Sequence, residues 1–233
     1  MSKLADEPAL PAAIAAFDRD GALVEAEQAV GSTRRGVFAG AAAGAVLGVL
    51  GRTSAARASG ASKHDIAILN YALGLEYIQA SFYTEAERLG ALHGALAQQA
   101  NVVGAHERAH VAAFRRVLGA AAMKRPTFNF RGVTEDPDAF RRFAVAFEDL
   151  AVAAYKYQAP RVQSPAYLAA AIAVHSVEAR HAAWIRRLAG VLPAAIAFDQ
   201  PLPPSQVEAL VASTHFVVSP PQMAAHSQPH TTG

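Results

Sequence analysis

The sequence predicts an all-α fold: a four-helix bundle with one long crossover between its second and third helices and a short C-terminal extension. Three observations lead there. Two Glu-x-x-His segments, Glu107 with His110 and Glu178 with His181, each lie in a helical run rich in small and apolar residues. Each follows a lone glutamate in an apolar run of its own, so that Glu76 precedes Glu107 by 31 residues and Glu148 precedes Glu178 by 30. Between the halves, Met123 to Glu135 contains Pro126, Phe128, Phe130 and Gly132, shows no helical period and is longer than a hairpin connection needs.

In chain order, residues 1–31 are polar and Ala-rich, with a short helix expected at Pro11 to Phe17 and acidic residues from Asp18 to Glu27; no function follows from them. Ser32-Thr33-Arg34-Arg35-Gly36-Val37-Phe38 then opens an apolar run to Leu50, and Ala56-Arg57-Ala58 follows. A basic start, a short apolar run and an A-x-A site are the parts of an export signal, and the run is too short to span a bilayer comfortably. The twin arginines resemble a Tat signal, although Val37 stands where that motif usually has Phe. We therefore expect residues 1–58 to be a leader, cleaved near Ala58, and the mature protein to work in the periplasm or to be secreted.

The bundle is expected over residues 62–190. Ser62 is a helix N-cap with Asp65 in the first turn, and the first helix runs to about Leu89. Gly90 and Gly94 mark a short turn, so the second helix, about Ala95 to Ala121, should lie antiparallel to the first. Asp136-Pro137 starts the third helix with an acidic cap and a proline at the first helical position; Pro160 stops it, and Ser164-Pro165 starts the fourth in the same way. Residues 191–233 form a Pro-rich extension with a short fifth helix near Ser205 to Ala212, flexible from His215 onward.

Composition narrows the chemistry. The 52% hydrophobic content suits closely packed helices, and a net charge of +2 with arginines spread along helix faces gives no nucleic-acid footprint. With no cysteine, disulfides, zinc-thiolate sites and iron–sulfur clusters are excluded, so any metal must rest on Glu and His. No Ser-His-Asp arrangement, phosphate-cradling Gly loop or glycosidase-like carboxylate pair is present.

A spacing of three puts a carboxylate and an imidazole side by side on one helix face, a pair that suits iron, manganese or zinc. One such pair is more often an exposed contact or a satisfied core histidine. The duplication changes the weighing, because Glu76 and Glu148 also have tyrosines seven residues on, Tyr83 and Tyr155, which two helical turns return to nearly the same face.

Glu, Glu-x-x-His, Glu, Glu-x-x-His over four helices resembles the ligand set of the ferritin-like dimetal-carboxylate superfamily. Within it, Pro126-Thr127-Phe128-Asn129-Phe130, Gln163-Ser164-Pro165-Ala166-Tyr167-Leu168 and Val177-Glu178-Ala179-Arg180-His181 are similar to bacterial exported ferritin-like proteins of the desiccation-related type. The resemblance covers about residues 62 to 215. It implies Glu76, Glu107, His110, Glu148, Glu178 and His181 as metal ligands, with Glu107 and Glu178 bridging, Glu76 and Glu148 terminal and one histidine per ion. Two divalent ions, iron or manganese, would balance four carboxylates. The function implied is reaction with oxygen or peroxide; its rival is a non-enzymatic stress or desiccation protein with a structural metal site or none.

Other residues carry less. His175 shares a face with Glu178, but Gly104 stands at the matching place in the other half, which favours a supporting or core role. Asp149 points away from Glu148 and is expected in solvent. His64, His93, His106, His215, His226 and His230 have no matched counterpart. Tyr83 and Tyr155 are expected in the core, within reach of carboxylate ligands.

Overall fold

The structure, a computed structural model, describes residues 62–219. The leader with its signal and cleavage site, and the chain beyond Ser219 with His226 and His230, lie outside the described residues. Four long helices, α1 (Lys63–Leu89), α2 (Gly94–Leu118), α3 (Pro137–Gln158) and α4 (Pro165–Leu188), are followed by the short α5 (Pro204–Ser213). Helices α1 and α2 pack as one antiparallel hairpin and α3 and α4 as another, and the hairpins meet through α1 against α3 and α2 against α4.

Local chemistry sets the helix ends. Ser62 accepts from the backbone N–H of Asp65 at 3.1 Å, and Gly90 ends α1 at φ 68°, a conformation glycine adopts without a Cβ penalty. Asp136 caps α3 by accepting from Asp138 and Ala139, with Pro137 at the first helical position. Ser164 caps α4 through Tyr167. The second helix ends at Leu118, and Gly119–Ala121, expected to continue it, narrows to a 3-10 turn.

The side chain of Asp65 has a separate role. Its carboxylate is 1% exposed and accepts from the backbone N–H groups of Gln163 at 2.8 Å and Ser164 at 3.0 Å, which ties the start of α1 to the turn before α4. Asn70 makes a second tie, donating to the carbonyl of Ala121 and accepting from the N–H of Met123. The two ties anchor both connections to α1.

The crossover and the C-terminal extension are built into one end of the bundle. Strand β1 (Thr127–Phe128) pairs antiparallel with β2 (Val217–Ser219), Thr127 opposite Ser219 and Phe128 opposite Val217. Flexibility from His215 was the expectation; instead His215–Ser219 continues into this pairing, because Phe216 is buried against Phe130, Phe143 and Phe147 with ring centroids 5.1 to 6.2 Å apart. Leu202, Val207 and Leu210 join the same core, and the N–H of Leu202 donates to the carbonyl of Ala153 on α3. Phe82 links this cluster inward, stacked on Phe140 at 4.9 Å. No helix among the described residues is long and apolar enough to cross a membrane.

Removing the Asp65 carboxylate would strand two backbone donors at the joint between the hairpins. Asp65→Ala is expected to lower stability by about 2–4 kcal/mol, read from urea unfolding of the metal-free protein; a loss below ~0.5 kcal/mol, the range of ordinary surface substitutions, would show that water satisfies those donors.

Candidate metal centre

The inward faces of the four long helices carry the six residues singled out from the sequence, and the fold brings all six together. Glu76, Glu107, Glu148 and Glu178 are each 0% exposed, His181 3% and His110 8%. They form two clusters, Glu76-Glu107-His110-Glu178 and Glu107-Glu148-Glu178-His181, in each of which the ligating atoms lie within 4.8 Å of one another. Glu107 and Glu178 belong to both.

Helical spacing explains the arrangement. On α2, Glu107 and His110 share a face, and His110 Nδ1 stands 3.6 Å from Glu107 Oε2. It also stands 3.2 Å from Glu76 Oε2 on α1 and 3.1 Å from Glu178 Oε1 on α4. The mirror set surrounds His181 Nδ1, with Glu107 Oε1 at 3.0 Å, Glu148 Oε2 at 3.5 Å and Glu178 Oε2 at 3.7 Å. Each shared carboxylate thus turns one oxygen to each imidazole.

The tyrosines cross between hairpins. Tyr83 on α1 donates to Glu148 Oε1 on α3 at 2.5 Å, and Tyr155 on α3 donates to Glu76 Oε1 on α1. Each hydroxyl fixes one oxygen of a lone glutamate and leaves the other aimed at a histidine. Gly104, one turn before Glu107, lets α1 and α2 close here: a Cβ at that position would overlap Glu87 Oε1 and come within 2.9 Å of Tyr83 Cβ.

Both oxygens of Glu107, both of Glu178, Glu148 Oε2 and His181 Nδ1 are buried without a hydrogen-bond partner among the described residues. Each of these oxygens sits at ion-pair distance from His110 Nδ1 or His181 Nδ1, but not in hydrogen-bond geometry. An isolated buried carboxylate oxygen costs several kcal/mol unless a cation or donor meets it. The donor set, carboxylate oxygens with one imidazole nitrogen per cluster, suits a divalent transition metal, so either cluster can hold one.

Without a cation, protons must offset the charge. Burial disfavours a charged His181, yet the carboxylates of Glu107, Glu148 and Glu178 around it push its pKa up to about 12. His110 is raised likewise, with Glu76 the strongest influence opposing burial. The carboxyls divide: burial and then the neighbouring charges of Glu178 and Glu76 hold Glu107 well above the usual range, and burial raises Glu148. Burial would raise Glu178 too, but the two imidazoles facing it prevail and draw it down to about 2.

Several residues were placed differently by sequence reasoning. Asp149, expected in solvent, accepts from Arg186 on α4 at 2.8 Å, an ion pair whose arginine is buried and also donates to the carbonyl of Leu192. His106, without a counterpart in the repeat, meets His181: its Nδ1 lies 2.9 Å from His181 Nε2, with the rings stacked at 5.2 Å. No signal in the repeat announces it, since Val177 holds the matching position. On α4 the innermost face is Val174, Glu178, His181 and Ile185, while Val177 and Trp184 are only partly buried. His175 is half-buried, its Nε2 has no hydrogen-bond partner among the described residues and it stands outside both clusters.

The sign of the pH dependence follows from His181. A folded-state pKa near 12 against an ordinary 6.5 means that the folded state holds the extra proton between those values; the stabilisation is complete below about 6.5 and is lost as pH climbs toward 12. Protein treated with EDTA should melt at progressively lower temperature as pH rises above about 6.5, and His181→Ala should flatten the dependence. A parent curve that stays level or rises would mean that imidazolium pairing does not hold the metal-free cluster together.

The family described as a ferritin-like domain matches residues 64–191, which covers all four long helices and all six clustered residues. No curated protein matches the chain. With more than half of its length matched, and with the paired Glu-x-x-His helices facing each other across two packed hairpins, the chain belongs to the ferritin-like domain family.

Proposed function

We propose that the six residues hold two divalent ions, iron or manganese, with Glu107 and Glu178 bridging, Glu76 and Glu148 as terminal ligands, and His110 and His181 serving one ion each. The observation that carries this reading is the division of the shared carboxylates. One oxygen of each faces His110 and the other faces His181, and all four oxygens lack hydrogen-bond partners among the described residues. Charge favours two ions over one, since four positive charges would match four carboxylates and leave the imidazoles neutral.

Iron or manganese in such a centre supplies redox chemistry toward oxygen or peroxide, ferroxidase-like or catalase-like, and stress protection is the role we assign to it. The chain's own contribution is to hold the ligands and keep bulk water out. Tyr83 and Tyr155 orient Glu148 and Glu76, and the buried ligands restrict approach to molecules as small as oxygen and peroxide. The Tat-like leader belongs to the same reading, because that route exports folded proteins with their metals already in place. Cleavage near Ala58 would leave a mature chain beginning near Ser59 in the periplasm or medium.

Protein purified from its native host should contain about two iron or manganese ions per chain, the stoichiometry of the dimetal-carboxylate bundles, and should begin near Ser59; ferrous-oxidation and peroxide assays then assign the reaction. Added metal should raise the melting temperature, since free metal 100-fold above Kd stabilises by ~2.7 kcal/mol per site. Glu107→Ala and Glu178→Ala should each abolish most of that shift. Asp149→Ala, which breaks the Arg186 pair, should lower metal-free and loaded protein alike and leave the difference intact. If the native protein carries neither metal and melts at one temperature with or without them, the polar core is structural and the non-enzymatic reading replaces this one.

A further inference from the structure

The halves of the bundle match in their ligands, yet the two histidines are not supported alike. His181 is 3% exposed, and its Nε2 meets Nδ1 of His106 at 2.9 Å. The corresponding place beside Glu178 holds Val177, an apolar residue, and no hydrogen bond to Nε2 of His110 is found among the described residues. His181 presents Nδ1 to Glu107, Glu148 and Glu178, so Nδ1 is the nitrogen that must offer a lone pair to an ion there. The ring proton must then sit on Nε2, and only an acceptor can face it.

We propose that His106 is a positioning residue for His181, accepting the Nε2–H through its Nδ1 and so making the Glu107-Glu148-Glu178-His181 cluster the tighter of two inequivalent metal sites. The inference rests on the assignment of His181 as a ligand made above. An imidazole that ligates through one nitrogen is free to rotate or change tautomer unless its other nitrogen is held; holding it also makes the ligating nitrogen more basic. His106 lies one residue before the bridging Glu107 on α2, whereas His181 lies on α4, so the bond also fixes the separation of the two helices that supply the shared carboxylates. Only part of the His106 ring is covered, and it can therefore be exchanged without opening the core.

Two substitutions separate hydrogen bonding from ring packing. His106→Phe keeps a stacking ring and loses the acceptor; His106→Asn loses the ring and keeps an acceptor close to where Nδ1 stood. Full-length protein, freed of metal and titrated calorimetrically with manganese(II), gives the affinity at each site, and melting curves of the metal-free variants establish that they are folded. In His106→Phe one site should weaken by about ten- to hundred-fold while the other stays within about threefold, and His106→Asn should restore the first to within about threefold of the parent. The proposal is overturned if His106→Phe binds both ions like the parent, if both sites weaken alike, or if His106→Asn is as weak as His106→Phe, which would make stacking the contribution. A parent that takes up no manganese would instead end the dimetal reading on which the proposal stands.

Discussion

Four carboxylates and two imidazoles buried in the centre of a helical bundle set the terms for everything around them. A buried charge without compensation costs more than a small domain's whole stability margin, so the groups must arrive together or not at all. The fold meets that demand in steps: helical spacing pairs each Glu with a His, the antiparallel hairpins bring two such pairs face to face, and tyrosine hydroxyls cross from one hairpin to the other to occupy one oxygen of each lone glutamate. Among the described residues, five carboxylate oxygens and one imidazole nitrogen of the centre are still unanswered by hydrogen bonds. They are a demand for cations, met by protons on the histidines when no metal is bound.

Rigidity for such a centre comes from outside it. Asp65 and Asn70 tie α1 to the connections on either side, and Arg186 ties α4 to α3 through Asp149. At one end, the crossover, α5 and β2 close over a cluster of phenylalanines that runs inward as far as Phe82, whose neighbour Tyr83 holds Glu148. A change in the aromatic end is therefore one residue away from a carboxylate of the centre. Gly104 adds a steric condition, since its missing side chain leaves room for Tyr83 where α1 and α2 meet.

The repeat within the chain is chemical at the ligands and abandoned elsewhere. His106 stands against Val177 and Gly104 against His175. Matched ligands with unmatched surroundings give two clusters that share Glu107 and Glu178 but differ in what supports their histidines.

The four-helix architecture and the six clustered residues were legible in the sequence because both depend on local periodicity. A spacing of three or seven on a helix has one geometric meaning wherever the helix lies, and the Ser62, Asp136-Pro137 and Ser164-Pro165 starts are settled by backbone donors within one turn. The partner of a side chain reaching to another element is different, because it depends on how helices rotate and slide when they pack. Tertiary structure alone decided that Asp65 bonds residues nearly a hundred positions away, that Asp149 meets Arg186, and that the chain after His215 is held by aromatic contacts made in the crossover. It alone put His106 behind His181, a contact that needs α2 and α4 side by side at one particular rotation and leaves no trace in spacing along the chain.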